Sequence, residues 1–391
     1  MNIAKGIRKT IFWGHLVLGL VAGLVIAIMS FTGLALTFEK ELLEWSERHA
    51  THVTPPSADA EPLALESLLA RIAEERPDFV PESVTIPKDR GQAYTFNAHW
   101  SLGPLYADPF SGELRSTQAE EMQHFLWEME EWHRWLAFKD GSESAGRIIT
   151  GVANLAFVAL CLSGLYLWWP RRWRWSNLRP ILWFRRARGK ARDYNWHLVL
   201  GLWSLPVLVV LTVTAVPISF RWGHELPFQL FGEEPPQARG FGMMSVPPAK
   251  VSDPPVGTAP APYARALSSV TAAFPEWESL YFELPPATAP DTEDAATPPL
   301  TIGVVTPDPM PSRGYIPTEV DPFTGELLQS THFDSRSPGL KTRVWMRFLH
   351  TGEAFGMPSK IIAFLATAAS LVLVYTGFAL SWRRFFRRPK S

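Results

Sequence analysis

Gly14-His-Leu-Val-Leu-Gly-Leu20 and Trp196-His-Leu-Val-Leu-Gly-Leu202 are two copies of one phrase. Each lies in a stretch without a charged side chain, Ile11 to Phe38 and Tyr194 to Phe220. Two further charge-free stretches run from Ile148 to Pro170 and from Ile361 to Trp382. All four exceed the roughly 20 residues that an apolar helix needs to cross a bilayer. An α-helical membrane protein with four transmembrane helices is therefore predicted. A histidine in or beside a bilayer is costly to keep there, so one that recurs at the same place in two helices marks a functional position.

Working outward from these helices, charge sets the expected topology. The N-terminal tail carries Lys5, Arg8 and Lys9, the stretch Pro170 to Asp193 carries nine Arg/Lys against one acid, and five Arg/Lys follow Trp382. Basic flanks stay on the cytoplasmic side. The two long connections are acidic, with 21 acids against nine bases in 39–145 and 16 against nine in 221–358. They are expected outside, in the periplasm of a Gram-negative inner membrane. The predicted order is a tail and helix 1 (1–38), an outer domain (39–145), helix 2 (146–170), a basic cytoplasmic loop (171–193), helix 3 (194–220), a second outer domain (221–358), and helix 4 with a basic tail (359–391). The first apolar run is too long for a signal-peptide core and ends in Thr37-Phe-Glu-Lys40, so it reads as a retained helix. Trp168, Trp169, Trp173, Trp175 and Trp382 form an interfacial belt. The arginines at 171, 172, 174, 185, 186 and 188 serve topology and membrane-lipid contact, or an acidic electron donor. No nucleic-acid partner is expected.

The second half repeats the first beyond the histidine phrase. Asp108-Pro-Phe-Ser-Gly-Glu-Leu114 returns as Asp321-Pro-Phe-Thr-Gly-Glu-Leu327. Trp132 aligns with Trp345, Arg147-Ile-Ile with Lys360-Ile-Ile, and Ser163-Gly164 with Thr376-Gly377, all at one offset. An internal duplication follows, each half reading helix in, α+β outer domain, helix out. In the first outer domain a helix is predicted over Leu63–Ala73, with strands at Val84-Thr-Ile-Pro and Ala93-Tyr-Thr-Phe, and Pro104-Leu-Tyr leads into the Asp-Pro-Phe-Ser-Gly turn. In the second, a helix spans Ala264–Ala273, with strands at Ser279-Leu-Tyr-Phe-Glu and Leu300-Thr-Ile-Gly-Val-Val. The proline-rich stretches Glu233–Pro262 and Pro285–Pro299 read as loops.

Four of the ten histidines stand out. His15 and His197 sit at matching depth near the cytoplasmic ends of helices 1 and 3, and two neutral imidazoles facing each other can hold one haem iron axially. Gly19 and Gly201, one turn along, leave room for a flat macrocycle. The alternative is a pair of interfacial histidines bonded to carbonyls or lipid head groups. His133 and His350 precede helices 2 and 4 at the outer surface and could hold a second haem. They do not align, however: His133 falls opposite Met346, and His350 opposite Ala137. The offset is one helical turn, and Met346 stays open as a ligand. Arg134, Arg147, Arg347 and Lys360 could neutralise haem propionates or anchor the interface by snorkelling. His124 reads as a surface residue, and His49, His52, His99, His224 and His332 as solvated residues of the outer loops, one of which could line an acceptor site. The single cysteine, Cys161, allows no internal disulfide, and without Cys-x-x-Cys-His there is no covalent haem attachment. There is no Gly-x-Gly-x-x-Gly, so a chain that passed electrons through such haems would need a separate flavin, flavoprotein or quinol as donor.

These motifs together resemble the PepSY-associated transmembrane helix family, which includes iron-regulated inner-membrane siderophore reductases. The resemblance rests on Trp-Gly-His15-Leu-Val-Leu-Gly-Leu, Leu165-Tyr-Leu-Trp-Trp-Pro-Arg-Arg-Trp173, Trp196-His197-Leu-Val-Leu-Gly-Leu-Trp-Ser-Leu-Pro206 and Leu349-His350-Thr-Gly-Glu-Ala-Phe-Gly356, and covers nearly the whole chain. Asp-Pro-Phe-[Ser/Thr]-Gly-Glu-Leu resembles the closing turn of a PepSY module. The resemblance implies two haem b groups per chain, electron transfer towards the periplasm, and reduction of a ferric siderophore, since Fe(II) is released from a hard oxygen cage more easily than Fe(III). Trp100, Trp127, Trp277, Tyr281 and Tyr315 could line a docking cleft or fill a core. Three other readings stay open: a membrane-anchored protease regulator without redox activity, a haem subunit serving another periplasmic oxidoreductase, and iron or haem transport, which the absence of a buried acid or broken helix in the spans disfavours.

Overall fold

The computed structural model describes residues 3–99, 102–138, 145–170, 173–236, 248–251, 258–285, 297–307 and 314–386. Trp100, Arg171, Arg172 and most of both proline-rich loops lie outside them, as does the side chain of Tyr315. The chain divides into two units, 1–39 with 124–235 and 342–391, and 40–123 with 236–341.

The first unit is built on four helices long and apolar enough to cross a membrane: α1 (Ile3–Leu36), α5 (Ala145–Trp168), α7 (Gly189–Ser219) and α11 (Met357–Phe385). At 1.5 Å per residue even the shortest exceeds the ~30 Å apolar core of a bilayer. They pack in a ring, α1 against α5 and α11, and α7 against α5 and α11. Their outer faces stay apolar: Val21 is 76% and Leu365 61% exposed. In water such faces would be a liability, whereas in lipid they are the solvated surface. Small and polar residues turn inward. Ser370 donates to Ser30 at 2.7 Å, and Asn154 Nδ2 to the Thr212 carbonyl at 2.9 Å, tying α11 to α1 and α5 to α7. The chain is a multi-pass membrane protein. Shorter helices flank the spans: α2 (Glu39–Thr51), α4 (Glu120–Trp135), α6 (Trp175–Leu182), α8 (Arg221–Leu230) and α10 (Pro338–Thr351). The predicted basic loop 171–193 thus contains α6 and the first residues of α7.

The second unit is an eight-stranded antiparallel sheet. Its strands are β1 (Ser83–Pro87), β2 (Tyr94–Asn97), β3 (Leu105–Ala107), β4 (Leu114–Ser116), β5 (Ser279–Glu283), β6 (Leu300–Thr306), β7 (Gly314–Val320) and β8 (Leu327–Ser330), in the order β4-β3-β2-β1-β5-β6-β7-β8. Helices α3 (Leu65–Glu75) and α9 (Tyr263–Ala273) bury Leu68, Ile72 and Val270 in the same core as Phe96, Phe282 and Ile302 of the sheet. Each such side chain contributes about 1.5–3 kcal/mol by leaving water. The strands predicted for two outer domains join this one sheet: β1 pairs with β5, Ser83 opposite Glu283 and Pro87 opposite Ser279. Two separate four-stranded sheets would each leave an unpaired edge there, and the pairing removes both.

The recurring Asp-Pro-Phe motif is a turn whose chemistry is visible. Asp108 Oδ1 accepts from the backbone N–H of Phe110 (2.8 Å) and Ser111 (3.1 Å), and Asp321 Oδ1 from those of Phe323 (2.8 Å) and Thr324 (3.0 Å). Gly112 and Gly325 follow with φ of 73° and 71°, the left-handed conformation that favours glycine.

Candidate functional site

The ring of spans brings the first pair of histidines together. His15 on α1 and His197 on α7 lie on helices that are not neighbours in the ring, and their imidazoles meet across it. The ring centroids are 6.5 Å apart and the planes 86° apart. The other two spans supply a hydroxyl each. His15 Nδ1 lies 2.8 Å from Ser163 Oγ on α5, and His197 Nδ1 lies 2.9 Å from Thr376 Oγ1 on α11. Both hydroxyls donate their single proton to a carbonyl one turn back, Ser163 to Ala159 at 2.6 Å and Thr376 to Val372 at 2.7 Å. They can then only accept from the imidazole, which places the ring proton on Nδ1 and the lone pair on Nε2. The adjacent glycines face the rings: a Cβ on Gly164 would lie 3.4 Å from His15 Cε1, and one on Gly377 3.8 Å from His197 Cε1, both within ordinary contact. Gly19 and Gly201 instead face Leu160 and Leu373 at ordinary contact distance.

His133 and His350 form the second pair. Their ring centroids are 6.4 Å apart and their planes 50° apart. His133 Nδ1 bonds the Met29 carbonyl at 2.9 Å and lies 3.0 Å from Thr32 Oγ1, and His350 Nδ1 bonds the Leu211 carbonyl at 2.9 Å. A carbonyl only accepts, so both rings again carry the proton on Nδ1. Met29 is fourteen residues beyond His15, and Leu211 fourteen beyond His197. Fourteen residues are close to four turns, which returns to the same helix face about 21 Å along. The pairs therefore lie at two levels of one bundle. Burial, with a smaller contribution from His350, pushes His133 down to about 4, and burial also lowers His350. Both are neutral at physiological pH, the form that ligates a metal.

The one-turn slip in sequence is absorbed outside the pair. Fourteen residues separate His133 from Arg147, but ten separate His350 from Lys360. After His133 the chain leaves α4 through Leu136 and Ala137, both at positive φ; after His350 it turns through Gly352 and Gly356. Met346 is half-buried on α10, one turn before His350, and the two imidazoles meet without it.

A ring nitrogen ligates a metal at about 2 Å, and lies roughly 1 Å from the ring centroid. Two imidazoles on either side of one iron thus have centroids about 6 Å apart, close to both observed separations. Among the described residues no three His, Cys, Asp or Glu side chains gather into a metal site. A metal held by two imidazoles alone needs its remaining ligands from elsewhere, and a porphyrin supplies four in a plane. The residues fit haem.

The four cations named in the sequence are placed less specifically. Arg134 pairs with Glu130 at 2.6 Å and lies over Trp135. Arg147 Nε donates to the Ser219 carbonyl at 3.2 Å, Lys360 lies 3.6 Å from Glu353, and Arg347 is exposed. His124 is exposed beside Glu128. Sequence reasoning missed the groups that hold the imidazoles. Ser163 and Thr376 were visible as a matched dipeptide without a role, while the carbonyls of Met29 and Leu211 leave no signal. It also missed Asp193, the one acid of the basic stretch, which is fully buried and ion-paired with Arg192 and Arg383. Two residues on, buried Asn195 accepts from Arg185 N and donates to the carbonyls of Pro180 and Trp183, pinning α6 to α7.

The PepSY-associated TM region family model matches residues 12–384, and the chain belongs to that family. No curated protein matches it.

Proposed function

We propose that this member of the PepSY-associated TM region family is a di-haem b oxidoreductase of the bacterial inner membrane. It takes electrons from a flavin, flavoprotein or quinol at the cytoplasmic side and delivers them to a ferric siderophore in the periplasm. One observation carries the reading: two imidazole pairs, each about 6.4–6.5 Å between centroids, with all four Nδ1 atoms engaged and, among the described residues, no hydrogen bond to any of the four Nε2 atoms.

Bound haem supplies one-electron exchange between ferric and ferrous iron. The chain's own residues do the rest. His15 and His197 hold the cytoplasmic site, and His133 and His350 the periplasmic one. Ser163, Thr376 and the carbonyls of Met29 and Leu211 fix ring orientation and tautomer and raise imidazole basicity. Arg134 and Arg147, with Arg347 and Lys360, stand on the helices that carry or follow the outer ligands and are assigned to propionate neutralisation. The termini and residues 171–193 are cytoplasmic, from their excess of Lys/Arg. The halves descend from one duplicated unit, each with a PepSY-like contribution to the sheet. Support comes from the matched spacing of His15/Met29 with His197/Leu211 and from the identical turns at Asp108 and Asp321.

The test is colour and stoichiometry. Full-length protein purified from haem-replete cells should show a Soret band, split visible bands on dithionite reduction, and two haems per chain by pyridine haemochrome. Stopped-flow mixing of the reduced protein with ferric siderophores should restore the oxidised spectrum. A colourless protein sinks the redox reading, and a coloured one inert to every ferric chelate sinks the acceptor.

A further inference from the structure

The sheet unit carries a groove that the histidine pairs do not involve. It is a cavity of about 300 Å³ between the β1–β2 hairpin, the turn at Pro109-Phe110, and α9. Three half-buried aromatic side chains, Tyr94, Phe110 and Trp277, give it apolar walls. Two exposed cations stand on its rim, each against a ring: Lys88 Nζ is 5.6 Å from the Trp277 centroid, and the Arg90 guanidinium carbon is 5.3 Å from that of Phe110.

The charges at this rim favour an anion. Among the described residues neither Lys88 nor Arg90 has a carboxylate partner; Lys88 donates to the Pro275 carbonyl at 2.8 Å and Arg90 to that of Ala60. Asp89, the acid between them, is turned into its own hairpin, accepting from Gly91 N at 2.9 Å and Gln92 Nε2 at 3.3 Å. Across the groove α9 contributes Ser268 and Thr271, the Thr271 hydroxyl donating to the Ser268 carbonyl at 3.2 Å. The phenol of Tyr94 is raised by burial, so it stays protonated and able to donate. Aromatic walls take a flat ring, and a cationic rim with a phenol donor takes its oxygens. The volume is at the low end for ligand sites. It suits a single aromatic arm and is too small for a three-armed chelate.

We propose that this groove binds one catecholate arm of an anionic ferric chelate, recognised by Lys88 and Arg90 at its oxygens and by Phe110 and Trp277 at its ring. The proposal rests on the function above for its ferric acceptor, and narrows that acceptor to aromatic anions over neutral hydroxamates.

Binding is measured on the full-length protein in detergent, by calorimetry, with redox-inert Ga(III) complexes so that affinity is separate from electron transfer. The probes are Ga(III) with 2,3-dihydroxybenzoate, the metal-free acid, and Ga(III) with acetohydroxamate. The gallium catecholate should bind tightest, and more weakly as salt rises. The double variant Lys88→Gln/Arg90→Gln should weaken it roughly tenfold, by the loss of two charge-assisted contacts. Ser268→Glu, which adds a negative charge at the exposed rim, should weaken it independently. Equal affinity for the hydroxamate or for the metal-free acid overturns the proposal, as does wild-type affinity in both variants. Unfolding midpoints and haem content measured on the same samples show whether a variant is folded. Tight binding by a protein whose reduced form ferric catecholate cannot reoxidise counts against the proposed function and leaves the groove assigned. Reoxidation that both variants leave unchanged counts against the groove alone.

Discussion

Replacing Ser163 with Ala removes the hydroxyl that accepts from His15 Nδ1. The side chain loses one oxygen, and nothing larger enters. Two consequences follow, and both can be sized. A buried N–H left without a partner costs about 1–3 kcal/mol. Loss of an outer-shell partner to a metal-ligating histidine lowers metal affinity by roughly 10–100-fold, which is about 1.4–2.8 kcal/mol. The two ranges agree, and His15 is half-buried, so the lower part applies and about tenfold weaker retention of the inner haem is expected. The reduction potential of that haem should rise, because a less basic imidazole stabilises ferric iron less. Haem transfer to apomyoglobin gives the affinity, and a spectroelectrochemical titration gives the potential.

Three controls make the prediction specific. Thr376→Val, nearly isosteric, should act in the same way through His197. Ser163→Thr should behave as wild type, since threonine already fills the equivalent place at Thr376. The outer haem should be unaffected, being about 21 Å along the bundle. If Ser163→Ala and Thr376→Val keep wild-type affinity and potential at the inner haem, the hydroxyls do not orient these rings and the tautomer argument fails. If Ser163→Ala empties both sites, the residue is supporting the bundle and not one iron.

Other outcomes follow from the same geometry. His15→Ala or His197→Ala should remove one haem and His133→Ala or His350→Ala the other, by pyridine haemochrome, with Met346→Leu retaining both; a missing haem in Met346→Leu would restore the sulfur as ligand. Because His133 lies at about 4 in the folded protein, against about 6.5 when unfolded, the unfolded chain binds more protons in that window, so stability of the outer site should fall as pH drops from 6.5 towards 4. The slope should be about 1.4 kcal/mol per pH unit for His133, read from Soret loss against pH, and the profile should be flat above 7. Asp193→Asn leaves Arg383 and Arg192 without their shared anion; because both arginines are partly exposed the loss should be about 2 kcal/mol, seen as a lower thermal midpoint in detergent, and an unchanged midpoint would mean the cluster is solvated. Cysteine-accessibility labelling should place residues 171–193 inside and the sheet residues outside.

The parts legible in the sequence were those on which one constraint acts locally. A lipid core excludes charge from every residue of a span, so Ile11–Phe38 and its three counterparts can be read off composition alone. The Asp-Pro-Phe turns are equally local, since the carboxylate bonds backbone groups two and three residues on. Joining β1 to β5 is not local: their facing residues are almost two hundred positions apart, and each strand reads the same whether its neighbour is one sheet or another. The histidines fall between these cases. Repetition marked His15 and His197 but could not name their hydroxyl partners, because Ser163 and Thr376 arrive from the other two spans of the ring. His133 and His350 looked misaligned because alignment compares each with the span that follows it. Their position is set instead against the spans that precede them, where Met29 and Leu211 stand at one spacing from the inner histidines. The slip then becomes a difference in connection length, four residues shorter after His350. The backbone takes it up at Leu136 and Ala137 in one half and at Gly352 and Gly356 in the other. A helix end can shift by a turn without moving its last side chain only if something other than the following helix fixes that side chain. Here the anchor is a carbonyl of α1 or α7, which makes those two spans the frame that positions both pairs.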